Sequence, residues 1–269
     1  MIRTALALTL LATPAAAQDR EEFNCVMDPS ATVRLGAPVT GLLEAVLVSR
    51  GDRVEAGQIV AKLHSEIEAA TIALYAETAA NEAEIDAQAA RLRFAQSQLE
   101  RAQELRRRGV GTAEQLEQAE AETEVTLREL AQAQMRRRIA GLELNRAKAQ
   151  LAQLAIRSPI DGVVVDRARS AGEFMSQEDH VAVIADLDPL HVETFLPVEF
   201  YGRIQAGDVA TVTPDAPVGG DYEARVAVVD QVFDAASGTF GIRLDLPNPG
   251  GRLPAGHRCV VSFDVGGDG

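Results

Sequence analysis

The sequence is poor in the residues that build large aromatic cores. It has no Trp, and aromatic residues make up only 4% of its 269 residues, whereas 46% of the residues are hydrophobic. We therefore expect cores built from Val, Leu, Ile and Ala. An excess of positive charge is also missing. The formal net charge of −14 argues against a nucleic-acid-binding protein, because phosphate contacts require a basic face.

Patterns for catalysis and metal binding are scarce as well. The four histidines are scattered without the spacing of metal ligands, and the methionines do not cluster. The chain has no Walker A loop, no nucleophile elbow and no paired-acid motif. We therefore expect neither an enzyme nor a metal site, and no cofactor. The histidines are His64, His180, His191 and His257.

Long apolar runs are absent beyond the N-terminus. Residues 1–17 combine one early Arg, an apolar stretch and the triplet AAA, a pattern typical of a cleavable signal peptide. No later segment has the ~18 consecutive apolar residues of a membrane-spanning helix. Cys25 follows Glu-Phe-Asn, which lacks the small residues of a lipoprotein cleavage box. We expect an exported protein without a lipid anchor that contacts membranes only through its partners.

Only two cysteines occur, Cys25 and Cys259. In an oxidising compartment a disulfide between the N-terminal arm and the last strand is one possibility. Two unpaired thiols buried as small apolar residues are the other. The sequence does not decide between them, because it does not give the distance that a disulfide requires.

A repeat with an offset of 121 residues is the most informative pattern present. Residues 37–63 and 158–184 align without gaps, with matching Pro-x-x-Gly turns, apolar runs and turn glycines. Each copy reads as short β-strands joined by tight turns. One copy is too small to bury its own faces, so the two copies are predicted to pack together as a small sandwich.

The segment between the copies, residues 65–154, has the composition of long helices. It contains no Pro and is rich in Ala, Glu, Gln, Leu and Arg. The predicted structure is an antiparallel coiled-coil hairpin of two helices of about 40 residues each, roughly 60 Å long at 1.5 Å per residue. The stretch RAQELRRRGVGT marks its turn, where Arg106, Arg107 and Arg108 suit the negative end of a helix and Gly109 suits a C-cap. The heptad positions of the seam are Ile85, Leu92 and Leu99 in the first half, then Leu116, Leu130, Leu144, Leu151, Ala119, Ala133, Ala140, Ala147 and Leu154 in the second.

After residue 184 the pattern returns to β. About five alternating or apolar runs bounded by Gly, Pro and Asp predict a small antiparallel β-barrel over residues 187–265, with a short tail at 266–269. A short helix could lie between the first two strands, over residues 198–204. The predicted fold is therefore α+β and elongated: a helical hairpin inserted in a β-sandwich, followed by a barrel.

This order of parts is similar to that of the periplasmic adaptor, or membrane fusion protein, family (HlyD-like). The stretch VSRGDRVEAGQ resembles the first half of the family's lipoyl-like domain, IRSPIDG the start of the second half, and LPNPGGRLPAGHRCVVSF the end of its β-barrel. The resemblance implies an N-terminal arm at 18–36 and a lipoyl-like domain split into 37–64 and 155–186. Its fourth, membrane-proximal domain is expected to be missing or vestigial.

The resemblance also implies partners and contact residues. Such adaptors assemble as rings in the periplasm and link an inner-membrane transporter to a TolC-type outer-membrane channel. The family's tip pattern of Arg, Leu and Ser falls on Arg101, Leu105 and Thr112, with Thr in place of Ser. We therefore expect an efflux or export adaptor, paired with an RND-type transporter.

The sequence leaves three alternatives to this expected function. One is an adaptor for an ABC-type exporter, and another is a structural periplasmic coiled-coil scaffold without a channel. The third is a lipoyl or biotin carrier, which shares the sandwich. The carrier is disfavoured, because the hairpin replaces the turn that would hold a modifiable Lys, and Lys62 lies in a predicted strand.

Overall fold

The computed structural model describes residues 21–263, so the predicted signal peptide and the predicted C-terminal tail lie outside the described residues. Within this range the chain forms twelve β-strands and three α-helices. The helices are α1 (Glu66–Ala80), α2 (Ala83–Arg107) and α3 (Ala113–Gln153). The strands are β1 (Glu21–Gly36), β2 (Gly41–Val46), β3 (Arg53–Val54), β4 (Ile59–Leu63), β5 (Ala155–Arg157), β6 (Gly162–Arg167), β7 (Phe174–Met175), β8 (His180–Pro197), β9 (Val209–Pro214), β10 (Tyr222–Val229), β11 (Thr239–Leu246) and β12 (His257–Phe263).

The internal repeat is present in the structure at the predicted offset. β2, β3 and β4 recur as β6, β7 and the first part of β8. The copies exchange strands reciprocally, because β2 pairs with β7 while β3 pairs with β6. The ladder between β2 and β4, including its irregularity, matches the ladder between β6 and β8. The sandwich therefore has an internal pseudo-twofold relation between its halves.

This relation extends beyond the predicted repeat and explains how the other parts are attached. The pairing of β5 with β4 is equivalent to the pairing of the end of β1 with β8. Ala155 opposes Lys62 in the first pair of strands, and Arg34 opposes Val183 at the equivalent place in the second. The chain leaves β4 and re-enters at β5 through the helical hairpin. At the equivalent strand pair, β8 and β1 continue into the barrel. The hairpin and the barrel thus leave the sandwich at positions that the pseudo-twofold relates.

The core of the sandwich has the predicted aliphatic character. Leu43 and its counterpart Val164 are buried, and so are Leu63 and its counterpart Ile184. The barrel differs from the expectation, because its core contains Phe200, Phe240 and Phe263 with Phe23 packed against them. The few aromatic residues of the chain are concentrated there rather than spread evenly.

Over the described part of the predicted N-terminal arm, residues 21–36, the chain forms a full strand, β1. β1 pairs with β12 and β8, and the cycle β1–β12–β9–β10–β11–β8 closes a six-stranded barrel. Alternating residues such as Cys25 and Met27 point into the barrel core. The barrel therefore takes its first strand from the start of the chain, and β8 runs without interruption through the sandwich and into the barrel.

The hairpin prediction is correct for one arm only. α3 is continuous over 41 residues, whereas the first arm breaks between α1 and α2. At the break Asn81 is extended (ψ 114°), and its side-chain oxygen accepts a hydrogen bond from the N–H of Ala83 at 3.0 Å. Such Asn side chains compete with helix hydrogen bonding. Across the break, Arg137 of α3 donates to the carbonyl oxygen of Ala79 and pairs with Glu82.

The seam between the helices is narrow. In α3 the buried positions recur every seven residues at Thr126, Ala133, Ala140 and Ala147, and the buried residues of α2 are Leu92 and Ala95. The predicted leucine positions of α3 are only half-buried. Small side chains thus form the interior of the hairpin, and the coiled-coil prediction holds in part. Among residues 21–263, no helix has both the length and the apolar character needed to cross a membrane.

Candidate functional site: the hairpin tip

The tip is the turn between α2 and α3, and its first part is a helix-ending motif. Gly109 has φ +78°, its N–H donates to the carbonyl oxygen of Arg106, and the N–H of Val110 donates to that of Leu105, both at 3.1 Å. These are the two hydrogen bonds of a Schellman motif, which needs a left-handed residue. The predicted C-cap at Gly109 is confirmed.

The second glycine of the turn has a different role. The N–H of Gly111 also donates to the carbonyl oxygen of Leu105, at 3.1 Å. A Cβ at Gly111 would lie 2.9 Å from the backbone nitrogen of Arg106 and 3.2 Å from the Cβ of Leu105. The loop therefore lies against the last turn of α2, which leaves no space for a side chain at this position. This requirement was not predicted from the sequence.

Thr112 is the N-cap of α3. Its side-chain oxygen accepts a hydrogen bond from the N–H of Gln115, and the Gln115 side chain accepts one from the N–H of Thr112, each at 3.1 Å. This reciprocal arrangement is a capping box. The predicted contact residue thus already stabilises the fold locally, and its hydroxyl hydrogen remains to be donated to a partner.

The arginine run is held by local contacts. Arg107 and Arg108 both pair with Glu104, at 2.5 and 2.6 Å, and Arg106 reaches the carbonyl oxygen of Gly111 at 3.4 Å. All three arginines are exposed. Exposed ion pairs of this kind stabilise a protein only slightly. The arginine run therefore contributes to the end of α2 and to solubility rather than to the protein core.

Arg101 and Leu105 lie four residues apart and therefore share one face of α2. Arg101 donates to the Oγ of Ser97 at 2.8 Å, and Leu105 is 47% exposed. The neighbouring Val110, which was not predicted as a contact residue, is 72% exposed. The tip therefore presents two aliphatic side chains together with the guanidinium groups of Arg101 and of the arginine run, next to a loop that is fixed by its own hydrogen bonds. This arrangement suits contact with another protein rather than catalysis.

The two cysteines lie far from the tip. Cys25 and Cys259 are opposite each other on β1 and β12, with Cα atoms 4.9 Å apart, and they form a disulfide. Of the two possibilities that the sequence left open, the structure has the bonded one. The disulfide joins the first and last strands of the barrel.

Two domain families match the chain. Residues 31–186 match the CzcB-like, barrel-sandwich hybrid domain, and residues 192–266 match the CusB-like, beta-barrel domain. The chain belongs to the membrane fusion protein family of periplasmic adaptors. The first match begins inside β1 and includes the whole hairpin, in agreement with the extended repeat described above.

Individual relatives are distant. The adaptor is 28% identical to the pyoverdine export membrane fusion protein PvdR of Pseudomonas putida, over 89% of this chain and 68% of PvdR. It is 26% identical to a UPF0194 membrane protein of Acidithiobacillus ferridurans, over 47% of this chain and 40% of that protein. The chain thus spans between 40% and 68% of the length of these two relatives.

The fold is shared with a solved structure. The adaptor superposes on the crystal structure of MacA from Actinobacillus actinomycetemcomitans with a TM-score of 0.76. The superposition covers 91% of this chain and 79% of MacA at 22% sequence identity. At this identity the likeness establishes the fold, including a hairpin that projects from a split sandwich.

Proposed function

We propose that this adaptor bridges an inner-membrane transporter of the RND type to a TolC-type outer-membrane channel in an efflux or export system. Members of its family are structural adaptors of such systems rather than enzymes. The observation that carries the proposal is the tip: a turn fixed by its own hydrogen bonds holds Leu105 and Val110 in solvent. At 1.5 Å per residue the hairpin places this turn about 60 Å from the sandwich.

The proposed channel contact consists of Arg101, Leu105 and Thr112, extended by Val110. Leu105 and Val110 would fill apolar space on the channel, and Arg101 would pair with a carbonyl or carboxylate there. Thr112 has a double role in this proposal, because its oxygen caps α3 while its hydroxyl hydrogen can be donated to the channel.

Self-association into a ring is the second part of the proposal. The outer face of α3, away from the seam, exposes Met135, Ile139 and Leu142, each by about half or more. Their spacing of four and three residues gives one continuous apolar stripe. Such a stripe suits side-by-side packing of neighbouring hairpins, and a ring would present several tips to one channel.

The test uses cells in which export or resistance depends on this protein. Arg101→Asp and Leu105→Ser are expected to abolish export while leaving abundance and the melting temperature unchanged, because both side chains are exposed. Ile67→Ser is the matched control, since Ile67 is a 79% exposed aliphatic residue at the base of the hairpin. Full activity of the two tip variants would refute the channel contact.

The scaffold alternative makes the opposite prediction. A scaffold tolerates changes at the tip but fails when the seam is broken at Leu130 or Leu144. The class of transporter is tested by purifying the adaptor with its inner-membrane partner after crosslinking in cells: an RND-type partner supports the proposal, and an ABC-type exporter replaces that part of it.

A further inference from the structure

Within residues 21–263 two strands, β1 and β8, connect the sandwich to the barrel, and their pairing is interrupted at the boundary. Leu190 opposes Pro29 and Asp186 opposes Ala31, so residues 187–189 of β8 lie opposite a single residue of β1. An irregularity of this kind bends strands locally. The buried clusters of the two domains share no residue. The strand pair alone therefore does not fix the angle between the domains, and we call residues 29–31 and 186–190 the hinge.

One side chain of the sandwich reaches across the boundary. The Nη2 of Arg53, at the start of β3, donates a hydrogen bond to the carbonyl oxygen of Gly250 at 2.5 Å. Gly250 and Gly251 lie in the barrel loop between β11 and β12 and have φ +76° and +59°, a conformation that favours glycine. A Cβ on Gly251 would lie 2.7 Å from the same Nη2 atom. The loop is therefore shaped to receive the guanidinium, and we call Arg53, Gly250 and Gly251 the clasp.

The loop of the clasp is held on the barrel side of the hinge. The side chain of Asn248 is buried, donates to the carbonyl oxygens of Leu187 and Leu253, and accepts from the N–H of Leu253. The N–H of Asn248 donates to the carboxylate of Asp188 at 2.8 Å, and the N–H of Gly251 donates to the carbonyl oxygen of Asn248 at the same distance. The loop therefore moves with the barrel. Among the described residues, and apart from the hinge itself, the bond from Arg53 is the side-chain hydrogen bond that joins the two domains.

The internal repeat shows that the sandwich itself does not require an arginine at this position. The residue equivalent to Arg53 in the second copy is Phe174. Arg53 opposes Val163 and Phe174 opposes Leu42, at the same place in the two strand pairs. Both strand pairs form, one with an arginine and the other with a phenylalanine that is 66% exposed. The arginine occurs at the site that adjoins the barrel, so its role is contact with the barrel rather than support of the sandwich.

The interface beside the clasp is polar and incompletely filled. A cleft of about 450 Å³ lies there between the two domains. Its carboxylates come from Glu55, Asp161, Asp186 and Asp188, and Arg53 is the basic residue of its lining. Repulsion between the carboxylates favours a wider cleft, and the guanidinium opposes it. Loss of Arg53 should therefore shift the domains towards a more open arrangement.

We propose that the clasp holds the barrel at one angle to the sandwich, and that the barrel swings about the hinge when the clasp opens. A surface hydrogen bond from a charged donor shifts such a two-state equilibrium by about tenfold. The clasped form is thus favoured, while opening stays within reach of thermal motion. A swing of about 10° would displace the tip, about 60 Å from the sandwich, by about 10 Å relative to the barrel. The clasp therefore determines where the tip lies with respect to the barrel.

The test measures the angle through the distance between two spin labels on the purified adaptor. The labels are attached at Phe174→Cys on the sandwich and Val232→Cys on the barrel, which replace side chains that are 66% and 84% exposed. Cys25 and Cys259 form a disulfide, so only the introduced thiols react. Double electron–electron resonance should give one narrow distance distribution for the doubly labelled adaptor with an intact clasp.

Two variants open the clasp in different ways, and each has a matched control. Arg53→Ala removes the guanidinium, and its control Arg157→Ala removes an arginine that donates to the carbonyl oxygen of Gly57 within the sandwich, at 2.7 Å. Gly251→Ala places a methyl group against Arg53, whereas Gly250→Ala adds a left-handed alanine with no atom within 4 Å of its Cβ. Arg53→Ala and Gly251→Ala should each raise the ratio of open to clasped molecules by about tenfold, and both controls should match the intact clasp. All four variants should keep cooperative thermal unfolding, because each domain retains its buried cluster.

Two results would overturn the assignment. If Arg53→Ala and Gly251→Ala keep the narrow distribution, the clasp does not set the angle between the domains. If the adaptor with an intact clasp already has the broad distribution expected of these variants, the clasp is not closed in solution. Because the measurement needs neither a transporter nor a channel, either result leaves the proposed function standing, and full export by the tip variants would leave the clasp standing.

Discussion

The hairpin and the β-structured body of this adaptor are stabilised in different ways. The sandwich and the barrel each have a cluster of buried Leu, Ile, Val, Met or Phe side chains. In the hairpin, by contrast, α1 has no buried residue, α2 has two and α3 has four, and most of these are Ala. Buried apolar side chains stabilise the sandwich and the barrel, whereas most apolar side chains of the hairpin are exposed to solvent. Surface changes on the hairpin should therefore alter contacts rather than the fold.

Charged substitutions in the sandwich core should cause the largest loss of stability. Val164→Asp places a charge in the sandwich core at a side chain that is fully buried, which costs several kcal/mol and should abolish the cooperative thermal transition. Leu43→Asp, at the equivalent position of the other repeat copy, should do the same. In the hairpin, Val125→Asp replaces a residue that is 52% exposed and should leave the melting temperature within a few degrees of the wild type. Comparable destabilisation by both kinds of variant would refute the contrast.

A smaller loss of stability is expected when the disulfide of the barrel is removed. Cys25 and Cys259 are 234 residues apart, so replacing both with Ser removes a long cross-link, and we expect a loss of about 2–5 kcal/mol in the free energy of unfolding. Chemical denaturation measures this loss, and the far-UV circular dichroism at 25 °C should keep its helical signal. Alkylation of both thiols in the periplasmic protein without prior reduction would show that the bond does not form.

A smaller effect separates the two roles of Thr112 in the hairpin. Thr112→Ala removes the cap of α3 and should cost about 1 kcal/mol in thermal denaturation, whereas Thr112→Asp keeps an N-cap and should retain stability. If the hydroxyl also contacts the channel, Thr112→Asp will reduce export despite its normal stability. Normal export by this variant would leave Thr112 with its capping role alone.

The smallest expected effect is on the pH dependence of stability, where the two copies of the repeat differ. The pKa of Asp179 is lowered to about 2 by hydrogen bonds from the backbone N–H and hydroxyl of Ser176, and then by Arg169. Because the pKa in the folded state lies below the unfolded value, this contribution to stability is complete above about pH 4 and is lost as the pH falls towards 2. Gln58 occupies the equivalent position of the first copy, where its side chain accepts a hydrogen bond from Glu55 without a charge. Asp179→Asn should flatten the acid limb of the stability profile. An unaltered limb in Asp179→Asn would contradict this explanation.

Local patterns in the sequence predict much of this architecture. The repeat follows from the spacing of its turn glycines, and the long α3 follows from a run of strong helix formers. The break at Asn81 and the incorporation of β1 into the barrel were missed, because both depend on contacts with distant parts of the chain, with Arg137 in one case and with β12 in the other. The capping box at Thr112 could have been found, since the sequence Thr-x-x-Gln carries its signature.

At the tip, sequence reasoning located the turn but not its complete surface. Arg101 and Leu105 were identified through the family resemblance, and both are exposed on one face of α2. The exposure of Val110 was not predicted, because it depends on the Schellman turn and on the close approach of Gly111 to α2. The disulfide could not be predicted from the sequence, since no pattern in the sequence brings Cys25 and Cys259 together.

Docking through the tip can be tested by photocrosslinking in living cells. Replacing Val110 with p-benzoylphenylalanine places a photoreactive group at a position that is 72% exposed, and replacing Leu74 of α1, which is 65% exposed, gives the control on the same hairpin. We expect the probe at Val110 to crosslink to a TolC-type outer-membrane channel and the probe at Leu74 not to do so. Crosslinking to the channel from both positions alike, or from neither, would contradict docking through the tip.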